Sequence, residues 1–267
     1  MKQYGLILDK IAPQDHVLGS LRSLEREVIR EDGQWVNFLP KEELQAAETE
    51  SMACVSFGTL NACEVLLKAK GIKDNFSDRW LAWNSGTTKQ GNSPQTVAET
   101  LRKAGVPKEE GWEITTSIKT WEDFYENPPP KLFELAREHF LNPYVFGHEW
   151  VPTDHSSLKE GLKYSPIGVA VFAWIQNGDY YVRPEGAEPN HWCLLIGYKE
   201  NDHWLVFDSY DSTLKKLSWT YVFGMAKRYQ IKKKDQAKDQ AVENYKKSGS
   251  NWLTQIINNF LICFKHD

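Results

Sequence analysis

The chain has 267 residues, 41% of them apolar, with 36 acidic against 32 basic side chains and a net charge of -4. That length can bury one substantial core, or two lobes facing a cleft, without metals or disulfides to hold it together. The interspersed charge offers no basic field for nucleic acid or an anionic membrane, and cysteines without CxxC spacing suggest neither a disulfide framework nor a zinc site.

The opening run MKQYGLILDKIAPQD is interrupted by Asp9 and Lys10, so it lacks the apolar stretch of a secretory signal, and a cytoplasmic or otherwise non-secreted protein is expected. Residues 1–36 are set apart as an N-terminal segment, a short pro- or covering segment. From Met52 to Gly71 the chain has no proline and few charges, which predicts a buried helix starting near Cys54 and stopping at the glycine. Ser93 as N-cap, Pro94 in the first turn, Val97, Leu101 and Ala104 on one face, and Gly105 with Pro107 as stops predict a second helix. The tract NPPPKLFELAREHF turns from extended to helical at about residue 131, and Ser157 with Glu160 offers a capping box for a short helix before Tyr164.

Beyond that point the period changes. IGVAVFAW, YYVRP, HWCLLIGY, HWLVFDSY and TLKKLSW are short, rich in β-branched and aromatic residues, and separated by turn residues, as in an antiparallel sheet. Helices first and strands afterwards give an α+β fold, a helical lobe and a sheet lobe with a cleft between them, over residues 37–230. Residues 231–267 read as a charged connector, KKKDQAKDQAVENYKKSGS, and a terminal apolar stretch that packs on the domain. That stretch is broken by Gln255, Asn258 and Asn259 and falls short of the roughly 20 apolar residues that a bilayer span needs.

A cysteine at the amino end of a buried helix sits where unpaired N–H groups and the helix dipole favour a thiolate, and Cys54 meets that description. Cys63 lies further along the same helix, and Cys193 and Cys263 lie in apolar runs where a thiol behaves as a small hydrophobe. In NHWCLLIGYKENDHWLVFDSYDS two strands joined by the turn KEND place His191 at the start of one and Asp208 near the end of its partner. Those ends of an antiparallel hairpin are neighbours, and along the first strand His191, Cys193, Leu195 and Gly197 are expected on one face, so a His/Asp pair is geometrically available.

Together these residues resemble the papain family of cysteine peptidases. In ESMACVSFGTLNACE, Cys54 falls where the family has its nucleophile; in NHWCLLIGY, residues Asn190, His191, Gly197 and Tyr198 match its histidine strand; in FDSYDS, Asp208 takes the place of the usual asparagine. The separation of Cys54 and His191 lies within the roughly 130 to 150 residues typical of papain and its relatives. SPIGVAVFAW resembles another family strand, and SDRWLAWNSG, followed by the Ser93 helix and GVPKEEGWEI, resembles its region of substrate-lining loops. The likeness runs from about residue 37 to 212. It departs from the pattern at Met52 and Ala53 in place of glycine and serine, at Val55 and Tyr210 in place of tryptophans, and at Glu48 in place of the oxyanion glutamine.

The resemblance implies a papain-like α+β fold and hydrolysis of peptide bonds through a thioester, with Cys54 as nucleophile, His191 as acid/base and Asp208 orienting the ring. The backbone N–H of Cys54, and the side chain of Gln45 if the intervening loop bulges, would form the oxyanion hole. The implied partner is a peptide or protein substrate, with no metal, organic cofactor, nucleic acid or membrane; association with a larger assembly is left open. Two other readings keep the same residues: an acyltransferase of transglutaminase type, and a degenerate papain-like module that binds peptides or scaffolds an assembly.

Overall fold

The computed structural model describes residues 4–41, 43–211 and 214–234. In chain order these form helices α1 (Cys54–Ala69), α2 (Asp78–Asn84), α3 (Pro94–Ala104), α4 (Trp121–Phe124) and α5 (Lys131–Ala136), then strand β1 (Tyr144–Val151) and helix α6 (His155–Leu162). Strands follow: β2 (Ile167–Val171), β3 (Ile175–Asn177), β4 (Tyr180–Val182), β5 (His191–Lys199), β6 (His203–Phe207), β7 (Leu214–Ser218) and β8 (Ala226–Lys233). The α+β class is as expected from the sequence. Residues 1–231 pack as one unit and 232–267 form a second, of which only Lys232, Lys233 and Lys234 are described. The terminal apolar stretch and Cys263 lie outside the described residues.

Every residue of helix α1 from Cys54 to Leu67 is buried, the polar Ser56, Thr59, Asn61 and Glu64 included, so it is a core helix rather than a surface one. It packs on β5 and β2 on one side and on α2 and α3 on the other. Gly58 makes the close approach possible, since a Cβ there would stand 2.7 Å from the Trp192 ring. The tryptophans Trp35, Trp80, Trp150, Trp192 and Trp204 are all buried, so much of the aromatic content is packing. Helix α3 keeps the predicted design, with the Ser93 side chain accepting from Thr96 N–H and Pro94 in the first turn.

The described strands form an eight-stranded sheet in the order β1-β8-β2-β5-β6-β7-β4-β3. The pairs β2–β5, β2–β8, β3–β4, β5–β6 and β6–β7 are antiparallel and β4 pairs with β7 in parallel. Strands β1 and β8 carry no clean alternation, because β1 is buried along most of its length and β8 holds the buried cations Lys227 and Arg228. Three local expectations are corrected. SDRWLAWNSG contributes a helix, α2, capped by Ser77, and not loops alone. Helix α6 is capped by Asp154, whose side chain accepts from Ser157 N–H, while Glu160 is used further on by Tyr164 and Lys163, so there is no Ser157/Glu160 box. The β5–β6 pair contains a bulge between Leu195 and Gly197, which breaks the continuous face assumed for His191 through Gly197.

Two buried charge clusters act on the fold in opposite senses, one of paired and one of like charges. Glu149 on β1 accepts from Arg228 on β8 and from Leu24 N–H at 2.5 Å, while Arg228 also donates to the carbonyls of Leu24 and Glu25. Removing one partner strands a buried charge, so Glu149→Ala is expected to cost about 3–5 kcal/mol in a denaturant titration. On the other side of α1, Glu64, Asp78 and Glu109 are crowded together with Glu43; Glu64 accepts only Phe76 N–H at 2.9 Å, and one oxygen each of Asp78 and Glu109 has no partner. Burial, then the neighbouring carboxylates, raises all three, Glu109 to about 8 against an ordinary 4.5. A carboxyl raised on folding holds its stability below its unfolded value and loses it as pH rises through the folded one. Glu109→Gln is therefore expected to raise the melting temperature at pH 8 and leave it nearly unchanged at pH 4, measured by calorimetry.

Candidate active site

Cys54 is the first residue of α1, so its N–H has no acceptor within the helix and its side chain stands at the positive end of the dipole. Ala53 precedes it without a side-chain cap, and Met52 adopts a left-handed φ of 55°. His191 opens β5, whose other neighbour, β2, runs alongside with Val171 opposite His191. Asp208 follows β6. Its Oδ1 accepts from His191 Nε2 at 2.6 Å, so the sequence-predicted pair is brought together. The other ring nitrogen, Nδ1, is buried without a hydrogen-bond partner, and Cys54 is near enough to add to the ring's hold on its proton.

The carboxylate of Asp208 is held by more than the histidine. Oδ1 also accepts from Tyr210 N–H at 3.0 Å, and Oδ2 accepts from Trp174 Nε1 at 3.0 Å and from Lys215 Nζ at 2.9 Å. Burial opposes the imidazolium, but the Asp208 charge and then Cys54 override it and push His191 up to about 10. Burial likewise opposes the Asp208 charge, and His191 with Lys215 override it, holding the carboxyl well below its usual range. Cys63 and Cys193 are buried thiols pushed well upward by desolvation, as expected of inert packing residues.

Gln45 is buried, with its Oε1 accepting from Ser209 and its Nε2 donating to the carbonyl of Tyr4 at 3.2 Å. Tyr4 belongs to a strap of chain lying across the site. Its ring packs on His191 with centroids 5.2 Å apart and on Tyr210 at 4.9 Å, and its N–H reaches the carbonyl of Asn190. Gly5, at φ 101°, passes between Met52 and Gly91 so closely that a Cβ on it would fall inside the Met52 carbonyl, and one on Gly91 would fall inside the Gly5 carbonyl. Leu6 pairs with Asn92 as a parallel bridge, Asn92 N–H donating to Gly5 and Ile7 N–H to Asn92, each at 2.9 Å. Cys54, His191 and Asp208 are each 0% exposed, and the strap lies against His191 and against the backbone two residues before the thiol.

No family model and no curated protein matches the chain. Solved structures do. Xylellain, a cysteine protease from Xylella fastidiosa, superimposes with a TM-score of 0.61 at 16% identity over 87% of this chain and 96% of that one. The digestive procathepsin L 3 of Tenebrio molitor larval midgut gives 0.55 at 16% identity over 77% and 75%. A cysteine protease of Carica candamarcensis gives 0.53 at 14% identity over 74% and 96%. The fold is that of the papain-like cysteine proteases. Within this papain-like fold the helix bearing Cys54 and the strand bearing His191 are in contact.

Lys215, Trp174 and Tyr4 were not singled out by sequence reasoning. Lys215 sits in a strand that alternates exposed and buried residues, and the burial of a lysine on the inward face was the available signal. Trp174 ends the run SPIGVAVFAW, where it reads as one more apolar residue. Tyr4 is separated from every motif residue, and nothing local marks it.

Proposed function

We propose that this chain is a cysteine peptidase that hydrolyses peptide bonds through Cys54, His191 and Asp208, and that residues 4–7 hold it in a closed form. The observation that carries the reading is the His191 ring, bonded through Nε2 to Asp208 at 2.6 Å with Nδ1 unpartnered beside the Cys54 thiol at the start of α1. That leaves Nδ1 as the atom that exchanges a proton with the thiol.

In the proposed cycle Cys54 Sγ passes its proton to His191 Nδ1 and attacks the substrate carbonyl carbon. The oxyanion is met by the N–H of Cys54 and by Gln45 Nε2, which in the closed form donates to the Tyr4 carbonyl. His191 Nδ1–H protonates the leaving amine as the C–N bond breaks, giving the thioester. Neutral His191 then takes a proton from water, hydroxide oxygen adds to the thioester, and the thiol leaves. Asp208 holds the ring in the orientation that aims Nδ1 at sulfur.

The strap supports a self-limiting enzyme, because a substrate reaching Cys54 must first displace Tyr4 and Gly5. The test is digestion of an unfolded protein mixture with product sequencing by mass spectrometry. New peptide termini with the wild type and none with Cys54→Ala support the reading; equal products from both, or none even after the strap is opened, sink it. Amine-linked products in place of new acids would favour the acyltransferase reading.

A further inference from the structure

Asp208 stands where the resemblance expects a neutral amide, and a buried negative charge against the imidazole is a chemical problem for the proposed cycle. An imidazolium bound too firmly cannot become the base that activates water in the second half. Lys215 answers it. It lies on β7 opposite Val206, is 2% exposed, and donates to Asp208 Oδ2 at 2.9 Å while its ammonium lies 5.1 Å from the centre of the Trp174 ring and 5.9 Å from that of Tyr181. Trp174 Nε1 donates to the same oxygen, so Lys215, Trp174 and Asp208 form a packed group on the side of the carboxylate away from His191. We infer that Lys215 is a positioning residue that offsets part of the Asp208 charge, so that His191 meets an acceptor closer in strength to an amide than a carboxylate without the lysine would be.

This inference rests on the peptidase reading for its purpose, though not for its test. The second carboxylate that Lys215 touches, Asp211, has a side chain 50% exposed, so water screens it, whereas Asp208 is fully buried and depends on the lysine. The titratable groups around His191 are Cys54 on α1, Cys193 on β5, Asp208, Tyr210 and Asp211 after β6, Lys215 on β7, Tyr181 on β4 and Tyr4 on the strap, with Glu50 behind the Tyr210 hydroxyl. Lys215 is the one cation among these besides the imidazolium itself.

The test is a histidine ring 15N NMR titration of the full chain, which reads the protonation of His191 without needing catalysis or access to the cleft. Asp208→Asn leaves Lys215 with only the half-exposed Asp211 as a counter-charge and is expected to lower the His191 midpoint by several pH units. Adding Lys215→Met to it is expected to bring the midpoint back up by about one unit or more. Lys215→Met alone raises the midpoint above that of the wild type, and Lys215→Arg, which keeps the charge, leaves it within a few tenths. A lysine that only packs would change the melting temperature of these variants and leave the midpoints alone, and that result overturns the inference. If Lys215→Met does not fold, the comparison of Asp208→Asn with the double variant decides in the same way. Absent labelling of Cys54 would remove the peptidase reading and leave this titration result standing.

Discussion

Gly5→Ala is expected to open the cleft and raise the rate at which a small thiol reagent modifies Cys54 by at least about tenfold. The residue passes between Met52 and Gly91 at φ 101°, a conformation that L side chains rarely adopt, and an added methyl group has no space beside the Met52 carbonyl. The strap must lift at that point. Its hold elsewhere includes the Leu6–Asn92 bridge, the burial of Leu6, the Tyr4 ring on His191 and Tyr210, the Tyr4 N–H bond to the Asn190 carbonyl and the Gln45 bond to the Tyr4 carbonyl. A strap that covers Cys54 nearly all of the time slows every reaction at its sulfur in proportion to the fraction of time it is open, so a substitution that favours opening is read directly as a faster rate. Melting temperature should fall only modestly, because of the strap only Leu6 is buried in the apolar core and the contacts of α1 with the sheet do not depend on it. An unchanged labelling rate with an unchanged melting temperature would mean that residues 4–7 do not control access.

The second large effect is at His191. His191→Ala in the opened protein is expected to cut peptide hydrolysis by about 10²–10⁴-fold, the usual loss when a positioned acid/base is removed. The pH dependence follows from the charges around the ring. Since Asp208 and Cys54 hold the imidazolium up to about 10, reactivity that depends on it should persist through neutral pH and fall on an alkaline limb near 10. The same pair contributes to stability with a definite sign. A histidine raised on folding contributes fully below its unfolded value of 6.5, and that contribution fades as pH rises towards 10. Asp208, depressed on folding, contributes above 3.8 and loses that contribution as pH falls through its lower folded value. The His191–Asp208 contribution is thus largest between those limits, and the melting temperature of His191→Ala should fall furthest below that of the wild type there.

Much of this was legible in the chain because local rules and the global fold agree. The run after Cys54, without proline and with one charge before Lys68, reads as a buried helix, and the hairpin around KEND brings His191 and Asp208 to one end whatever the rest of the sheet does. The order of strands was not legible, since β8 pairs with β2 and β4 with β7 across long stretches of sequence and no alternation marks β1 or β8. Nor were the partners that complete the site. The burial of Lys215 depends on the register of β7 against β6, and the position of Tyr4 depends on a path fixed by Asn92 and Gly91, far away in sequence. The Gln45 side chain lies where its amide faces the carbonyl of Tyr4, an arrangement set by Ser209 and not by its spacing from Cys54.

The most direct measurement is intact and peptide mass spectrometry after brief treatment with a peptidyl-epoxide thiol inhibitor, on the wild type and on Gly5→Ala, each with and without Cys54→Ala or His191→Ala. A single adduct confined to Cys54, faster in Gly5→Ala and slow without His191, is the predicted result. Labelling that is absent from both backgrounds, or that proceeds equally well without His191, would contradict an activated thiol and leave a papain-like fold used for binding.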